Sequence, residues 1–488
     1  MNIIINAFEV SPFAKTGGLA DVTRSLASEF DNLGHNVIVV MPKLKSINVN
    51  DFNFKRLDLR LAIQMGFSEE YAAVWEGIIP KSKAKVYLIE HDDYYNRDSI
   101  YGSPEEFIDN DRRFIFLSRA VFEVAKAIDF TPDVIHSHDY HTAFTLAFLK
   151  SFYRHDLRFS RTAAVYTIHN LSFQGKYNPF RIMDFSSFGM KEFYDGSWFE
   201  KDGVVNCMKV GIMFADKITT VSPNYANEIR MAYYSEGLQD VLNQRSGDLV
   251  GVLNGVYYPD WNPETDELIK YKYSIDNLEV KRQNKYSFLK SFGLKESDNL
   301  DIPLFGMVSR LTEQKGIDII KEKLDYYIEN RNIRFALLGS GQQEYVEFFN
   351  YLRWKYPRNA FISIGYDEQL AHRIFAASDF ITVPSRFEPC GLTQMYALKY
   401  GAIPVVRATG GLLDTVSEYN SSNGLGTGFV FQNYQKEDFA YALERAMSVY
   451  YSPDHWNKIR QNAMLEDFSS VRQAEQYIEV FNWAIEKV

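Results

Sequence analysis

The sequence predicts an α/β protein built from doubly wound parallel sheets, and two patterns support this prediction. Short apolar runs rich in valine and isoleucine recur along the 488 residues, among them "NIIINAF", "HNVIVVMP", "PLFGMVSR" and "IRFALLGS". Because these runs hardly alternate with polar residues, they are typical of strands buried on both faces of a sheet. Helical stretches such as "DVTRSLASEFDNLG" lie between them. Strand followed by helix, repeated, indicates βαβ units with right-handed crossovers.

The alternation of strands and helices is interrupted once, and this interruption predicts a domain boundary. A polar, charged stretch covers residues 256–302, and a new strand follows it. We therefore predict a Rossmann-like domain over residues 1–256, a second over 257–468, and a C-terminal amphipathic helix over 469–488. Since open α/β sheets bind ligands at the carboxyl ends of their strands, we expect the strand-end loops of both domains to line one cleft.

Composition and charge exclude several classes of protein. The net charge of −10 disfavours a general binder of nucleic acid or of anionic membranes, which needs a cationic face. The cysteines, Cys207 and Cys390, form no CxxC pair and suggest neither a disulfide scaffold nor a zinc site. No apolar run reaches the ~18 residues that span a bilayer. The apolar N-terminus lacks a basic lead and a cleavage site, so we expect a core strand there and a cytoplasmic protein.

A glycine pair between the first strand and the first helix is a candidate anion site. The segment "KTGGLADV" places Lys15 beside Gly17 and Gly18. Backbone N–H groups at a helix start favour anions, and glycine permits close approach. The segment matches neither the Walker loop nor G-x-G-x-x-G, so a purely structural turn remains the alternative.

The second half of the chain contains a similar set of cations and glycines. Arg310 and Lys315 in "SRLTEQKG" follow the first strand of the second domain, and "TGGLLDTV" repeats the glycine pair at residues 410 and 411. A planar guanidinium and a compact ammonium both suit a diphosphate, although solvated surface cations are the plainer interpretation. Cations and glycine turns at strand ends together predict an anion-binding site.

Histidines and a carboxylate follow two further strands. The run "HSHDYH" contains His136, His138 and Asp139, and "YTIHNLSFQG" contains His169. Strand alternation places His136 and His138 on one face and Asp139 on the other. We therefore favour a carboxylate and imidazoles facing a polar cleft over a metal site, while a buried core histidine is the ordinary interpretation of His169. The "DND" at residues 109–111 matches a metal-binding spacing, but we interpret it as a helix cap.

The run "PSRFEPCGLTQMYALKYG" places Glu388 and Cys390 in a loop between a strand and a helix. A carboxylate at a strand end can accept two hydrogen bonds from sugar hydroxyls in a defined plane. A nucleophilic role for Cys390 needs a general base, and none is close in sequence. We interpret Cys390 as a small packing residue.

Taken together, these motifs resemble the bacterial glycogen synthase and plant starch synthase family over essentially the whole chain. The matching segments, in order, are "KTGGLADV", "HSHDYH", "TIHNLSFQG", "NCMKVGIMFADKITTVSPNYANEI", "VLNG", "SRLTEQKG", "IGY", "PSRFEPCGLTQMYALKYG" and "TGGLLDTV". The resemblance implies the GT-B fold, two facing Rossmann-like domains with a C-terminal helix that crosses back to the first. It also implies transfer of glucose from ADP-glucose to the nonreducing-end 4-OH of an α-1,4-glucan such as glycogen, with retention of configuration and no metal or other cofactor.

The resemblance further implies roles for the cations and the first glycine turn. Lys15, with Gly17 and Gly18, meets the pyrophosphate and glucose of the donor. Arg310 and Lys315 neutralise the diphosphate.

Other strand-end residues correspond to sugar and base contacts of the family. Asp139 and His169 line the reacting sugar, and Asn254 of "VLNG" binds a glucose hydroxyl. Tyr366 of "IGY" flanks the base, and Thr393 reaches a phosphate.

The run "PSRFEPCGLTQMYALKYG" matches the family in its loop but differs at one position from many retaining GT-B enzymes. Glu388, with Cys390 and Gly391, holds the glucose 3-OH and 4-OH in the family pattern. Tyr396 stands where many such enzymes have a second glutamate, which leaves the ribose contact undetermined. Tyr140 replaces a usual tryptophan on the acceptor side, so the donor site is better supported than the glucan site.

Three alternatives remain at the level of sequence. UDP-glucose could replace ADP-glucose as the donor, because few base contacts are visible. A non-catalytic glucan-binding protein of the same fold would not need the set of cations. A Rossmann-type oxidoreductase is disfavoured because G-x-G-x-x-G is missing.

Overall fold

The computed structural model describes residues 1–103, 105–295 and 297–488, and this part of the chain divides into two compact units. Unit 1 contains Met1–Gly255 together with Ser470–Val488. Unit 2 contains Val256–Ser469. In the described ranges, no helix is long and apolar enough to cross a membrane.

The strands and helices follow one another along both units in βα succession. The strands are β1 Asn2–Asn6, β2 Asn36–Pro42, β3 Lys55–Met65, β4 Ser68–Ile78, β5 Lys85–Glu90, β6 Val134–His138, β7 Ala163–Ile168, β8 Lys176–Tyr177, β9 Glu200–Lys201, β10 Val204–Asn206, β11 Lys217–Thr220, β12 Leu249–Gly251, β13 Leu304–Val308, β14 Arg334–Gly339, β15 Ala360–Ile364, β16 Phe380–Val383, β17 Ile403–Arg407 and β18 Phe429–Phe431. The helices are α1 Gly18–Asn32, α2 Asp92–Tyr95, α3 Asn110–Ala127, α4 Ala143–Lys150, α5 Pro179–Phe185, α6 Cys207–Phe214, α7 Pro223–Glu228, α8 Gln239–Gln244, α9 Lys281–Ser291, α10 Ile317–Asn330, α11 Gln343–Lys355, α12 Glu368–Ala377, α13 Thr393–Lys399, α14 Gly410–Thr415, α15 Lys436–Tyr450, α16 Pro453–Leu465 and α17 Ser470–Ile485.

Unit 1 is built around a sheet of order β12-β11-β7-β6-β1-β2-β5-β4-β3. From β12 to β5 the strands are parallel, as their apolar runs predict. β1 pairs with both β2 and β6, so the chain reverses its winding direction at β1. The carboxyl ends of β1 and β6 therefore flank the topological switch point, where open α/β sheets bind ligands.

The antiparallel strands β3 and β4 extend this sheet beyond β5, and the sequence analysis did not predict them. Their residues alternate between exposed and buried positions, as in "KRLDLRLAIQM". Such alternation is the pattern of a strand with one face in solvent. The search for continuous apolar runs therefore missed this pair.

The C-terminal helix α17 belongs to unit 1, although it follows the whole of unit 2 in the chain. Phe481 packs against Phe30 of α1 with ring centroids 5.3 Å apart, and Tyr477 lies 5.0 Å from the ring of His136. Gln473 accepts a hydrogen bond from the amide of Gly255 at 3.0 Å. The apolar face predicted for this helix is thus buried against the first sheet and its helices.

Unit 2 is built around a parallel sheet of order β15-β14-β13-β16-β17-β18. β13 pairs with both β14 and β16, so its switch point lies between the carboxyl ends of β13 and β16. The fold class predicted from sequence, a pair of Rossmann-like doubly wound sheets, is present in the two units.

Two local predictions differ from the structure. Asp109 stands at the start of α3 but makes no side-chain cap hydrogen bond, because its carboxylate is taken by a two-bond contact from Arg97 at 2.7 and 2.6 Å. Asp139 lies beyond β6 with a φ of 54°, so strand alternation does not apply to it. His136 and His138 do share one face, with their rings 4.0 Å apart.

Candidate functional site

The predicted residues of unit 1 all follow the carboxyl ends of parallel strands. Lys15 lies in the loop after β1, Asp139 follows β6, His169 follows β7 and Asn254 follows β12. Since β1, β6 and β7 are neighbours in the sheet, the loops that carry Lys15, Asp139 and His169 leave adjacent strands at the switch point.

Lys15 and the glycine turn form the loop that leads into α1. The Lys15 ammonium lies 2.8 Å from the carboxylate of Asp21, one turn into the helix. Gly17 has an extended φ of −150°, and a Cβ added there would meet nothing within 4 Å. The backbone therefore does not require glycine at this position, and its effect is to keep the space in front of the helix start open.

Asp139 and His169 are joined by a backbone hydrogen bond. The amide of His169 donates to Asp139 Oδ1 at 2.8 Å. Burial raises the pKa of Asp139 to about 7, against the lowering effect of hydrogen bonds from the amides of His169 and Asn170. A carboxyl group whose pKa lies near neutrality can gain or lose a proton at physiological pH.

The histidines of this edge are uncharged at neutral pH. His138 Nδ1 and His169 Nε2 lie 2.9 Å apart. Burial lowers the pKa of His169 to about 3 and holds the pKa of His138 well below its usual range. One ring nitrogen of the pair therefore donates and the other accepts. Within residues 1–103, 105–295 and 297–488, no group of three His, Cys, Asp or Glu side chains is arranged to hold a metal ion.

Asn254 is buried at the end of unit 1, next to α17. Its side-chain oxygen accepts a hydrogen bond from Gln473 Nε2 at 3.1 Å, and its backbone N–H donates to the carbonyl of Val221 at 3.2 Å. The C-terminal helix therefore holds the Asn254 side chain, which the family resemblance assigns to a glucose hydroxyl.

In unit 2, Lys315 and Glu388 join the loops that follow β13 and β16. The Lys315 ammonium lies 2.6 Å from Glu388 Oε2, and the Ser385 hydroxyl donates to the same oxygen at 2.8 Å. Both side chains are largely buried. This ion pair spans the switch point of the second sheet, so both charges stand where a ligand is expected.

Arg310 and Tyr366 occupy the same edge but are exposed. Arg310 follows β13, and its guanidinium makes no hydrogen bond or ion pair with the described part of the chain. Tyr366 follows β15 and is 76% exposed. Arg310 therefore has a full charge available to an anion, whereas the charge of Lys315 is shared with Glu388.

The second glycine pair packs closely against the loop that carries Glu388. Gly410 has a φ of 44°, and a Cβ there would lie 1.9 Å from the carbonyl oxygen of Glu388. The amide of Gly411 donates to the carbonyls of Glu388 at 3.2 Å and Pro389 at 3.1 Å. The pair lets two loops approach closely and so fixes the backbone that carries Glu388.

The remaining predicted residues continue this loop into α13. Cys390 is buried, as expected of a packing residue, and its carbonyl accepts a hydrogen bond from Gln394 at 3.0 Å. Gly391 has a φ of 73°, and Thr393 is half-buried at the first residue of the helix.

Comparisons with known proteins identify the family of the chain. The model of the starch synthase catalytic domain matches residues 2–244, and that of glycosyl transferases group 1 matches residues 294–464. The chain is 40% identical over 488 residues to a glycogen synthase of Clostridium novyi, covering 100% of each chain. It is 42% identical to glycogen synthase 1 of Geobacter sulfurreducens, covering 100% of this chain and 97% of the relative. The chain belongs to the glycogen synthase and starch synthase family.

A solved structure of the family confirms the predicted fold. The catalytic domain of starch synthase IV from Arabidopsis thaliana, bound to ADP and acarbose, matches with a TM-score of 0.92 at 31% identity, covering 99% of each chain. This member of the glycogen and starch synthase family is therefore a glycosyltransferase of the GT-B fold.

Within this family member, the sequence located the strand-end residues but missed their partners. Glu9 accepts hydrogen bonds from the amides of Thr16 and Gly17, and Tyr101 donates to it at 2.7 Å. The isolated carboxylate in "NAFEVSP", directly after an apolar strand, was the available signal for Glu9. Tyr101 comes from a distant loop, and no local pattern points to it.

Proposed function

We propose that the protein is a glycogen synthase that transfers glucose from ADP-glucose to the nonreducing-end 4-OH of an α-1,4-glucan with retention of configuration. The observation that carries this proposal is that each sheet places a cation and a carboxylate at its switch point. These are Lys15 and Asp139 in unit 1, and Lys315 with Glu388 in unit 2. Relatives that match over the full chain are named glycogen synthases, and the similar starch synthase IV binds ADP and acarbose.

Departure of the leaving group loads negative charge onto the nucleotide diphosphate while the sugar becomes oxocarbenium-like. In our proposal Lys15, Arg310 and Lys315 stabilise that charge, and each preorganised donor of this kind contributes roughly 10²–10³ in turnover. Because side-chain cations supply this stabilisation, we propose that the reaction needs neither Mg²⁺ nor another cofactor. The acceptor attacks from the face that the diphosphate leaves, and a phosphate oxygen of the leaving group takes the acceptor proton.

The other strand-end residues bind the substrates in this proposal. Asp139 and His169 line the reacting sugar, with the His169 ring neutral, and Asn254 binds a glucose hydroxyl. Tyr366 flanks the base of the donor, and Thr393 reaches a phosphate.

The loop after β16 completes the glucose site. The Glu388 carboxylate accepts hydrogen bonds from the 3-OH and 4-OH of the transferred glucose, and the backbone N–H groups at Cys390 and Gly391 donate to these hydroxyls. Gly17 and Gly18 leave room for the donor beside Lys15, which agrees with the open space in front of Gly17.

A single assay tests the proposal against its alternatives. Purified protein is incubated with glycogen and with radiolabelled ADP-glucose or UDP-glucose in turn, with EDTA present. We expect incorporation from ADP-glucose that EDTA does not reduce. Incorporation from UDP-glucose alone would show that UDP-glucose, and not ADP-glucose, is the donor. A requirement for a divalent ion would refute metal independence. Glycogen binding without incorporation from either donor would indicate a non-catalytic glucan-binding protein.

A further inference from the structure

A buried carboxylate occupies the backbone donors of the first glycine turn. Glu9 is only 4% exposed, and it lies in the loop between β1 and α1. Its Oε2 accepts hydrogen bonds from the amide of Thr16 and, at 3.2 Å, from the amide of Gly17. These amides directly precede α1, where the helix start favours an anion, and a carboxyl group of the chain itself holds them.

Glu9 is in turn anchored from two other elements of unit 1. The Tyr101 hydroxyl donates to Glu9 Oε1 at 2.7 Å, and the Tyr101 ring stacks on His141 with centroids 4.5 Å apart. The Thr23 hydroxyl of α1 donates to the backbone carbonyl of Glu9 at 2.8 Å. Through its carboxylate and its backbone carbonyl, Glu9 therefore ties Thr16 and Gly17 to the first helix and to the residues that follow β6.

Ionisation of Glu9 is less favourable in the folded chain than in the unfolded chain. Burial raises the pKa of Glu9, against the lowering effect of Tyr101 and of the amides of Thr16 and Gly17. When folding raises the pKa of a carboxyl group, the folded state loses stability as the pH rises above the pKa of that group in the unfolded chain, because the unfolded chain ionises first. A neutral side chain of the same shape is expected to stabilise the fold at this position, and charged groups kept in such places are typical of functional sites.

We propose that Glu9 is a positioning residue that acts through Lys15. It holds the backbone of residues 15–17 so that the Lys15 ammonium, rather than the amides of Thr16 and Gly17, meets the donor diphosphate. This inference rests on the proposed function, because it assigns Lys15 to the leaving group. Misplacing a catalytic group by about 1 Å can reduce turnover by roughly 10²-fold, so the effect of Glu9 on activity depends on the presence of Lys15.

A double-mutant cycle tests this dependence. Initial rates of glucose transfer are compared for wild type, Glu9→Ala, Lys15→Ala and the double variant. Glu9→Ala is expected to reduce kcat by about 10- to 100-fold in the wild-type background and by less than about twofold in the Lys15→Ala background. Independent, multiplicative losses would overturn the proposal. Glu29→Gln is the matched control, because this buried carboxylate of α1 bonds Ser470 at 2.7 Å, and its effect should be independent of Lys15.

A second measurement does not depend on activity. The amides of Thr16 and Gly17 are expected to exchange their hydrogens slowly in wild type and at least about tenfold faster in Glu9→Ala, with Glu9→Gln between them because a neutral oxygen is a weaker acceptor. Glu9→Gln should also unfold at no lower urea concentration than wild type at pH 7.5, while its kcat falls. Unchanged exchange, or a parallel loss of stability and activity in Glu9→Gln, would refute the positioning role. If wild type transfers glucose from neither donor, the proposed function fails, and amide exchange still decides whether Glu9 holds the segment.

Discussion

Removing the guanidinium of Arg310 should separate catalysis from stability. Arg310 is exposed after β13, and within the described part of the chain its guanidinium has no partner to lose. A surface substitution of this kind changes the free energy of unfolding by less than about 0.5 kcal/mol. Arg310→Ala should therefore leave the urea midpoint of the protein nearly unchanged.

The effect on turnover should be large because Arg310 has its whole charge available. Loss of one preorganised donor to a developing anion reduces kcat by roughly 10²–10³, or about 2.7–4 kcal/mol of transition-state stabilisation. Lys315 compensates poorly, since its ammonium lies 2.6 Å from Glu388 and shares its charge with that carboxylate. We expect the loss from Arg310→Ala to lie in this range.

The assay measures initial rates of glucose incorporation into glycogen from ADP-glucose, alongside urea unfolding of the same preparations. Arg331→Ala is the matched control. Arg331 follows the far end of α10, away from the carboxyl end of β13, and its guanidinium pairs with Glu444 at 3.0 Å. The control should retain turnover within about twofold of wild type. Near-wild-type turnover of Arg310→Ala would refute the assignment of this cation to the leaving group.

Three further substitutions test the other features of the site. Lys315→Ala should lower both turnover and the free energy of unfolding, the latter by about 1–3 kcal/mol, because Glu388 loses its cation; a purely catalytic loss would show that the ion pair does not stabilise unit 2. Gly410→Ala should destabilise the protein by about 1–3 kcal/mol more than Gly34→Ala. Both glycines have positive φ, but only a Cβ at Gly410 would meet a backbone atom, at 1.9 Å. Equal unfolding midpoints of the two variants would contradict this. As the pH rises from 5 to 8, the unfolding free energy of Asp139→Asn should rise relative to that of wild type by roughly 2–3 kcal/mol. The reason is that the pKa of Asp139 is raised to about 7, so its ionisation opposes folding of the wild type as the pH rises toward that value. A pH-independent difference in unfolding free energy would refute the raised pKa.

The parallel cores of both units were predictable because their strands are buried on both faces. The runs "NIIIN" and "RFALLG" contain three and four consecutive buried apolar residues, and a buried parallel strand is the structure they favour. The antiparallel pair β3 and β4 was missed because one face of each strand is more exposed than the other, which interrupts the apolar run. Continuous apolar runs therefore describe the centre of a sheet better than its edge.

The sheet edge at which the candidate residues lie was predictable for a related reason. Lys15, Asp139 and His169 each follow a buried strand, and the carboxyl ends of parallel strands share one edge. Which side chains form pairs was not predictable, since such pairs join residues far apart in sequence. Lys315 and Glu388, 73 positions apart, form an ion pair only because β13 and β16 are neighbours.

The two glycine turns show where local pattern reaches its limit. "KTGG" and "ATGG" have the same form and the same position between a strand and a helix. At Gly17 the neighbouring space is open, whereas at Gly410 it is filled by the backbone of Glu388. The difference arises from a loop that begins at another strand, so only the folded chain distinguishes a glycine turn with open space beside it from one packed against the protein's own backbone.

The positions of the buried parallel strands and of the loops after them, and the charges that these loops carry, follow from the order of residues, because backbone preference and the pattern of apolar residues are local properties. Which charges are paired, and which groups hold protons, was decided by folding. Glu9, Asp139 and His169 have pKa values shifted mainly by burial, and burial depends on everything that packs around a group. Desolvation and through-space contact thus set the chemistry of residues whose locations the chain already specified.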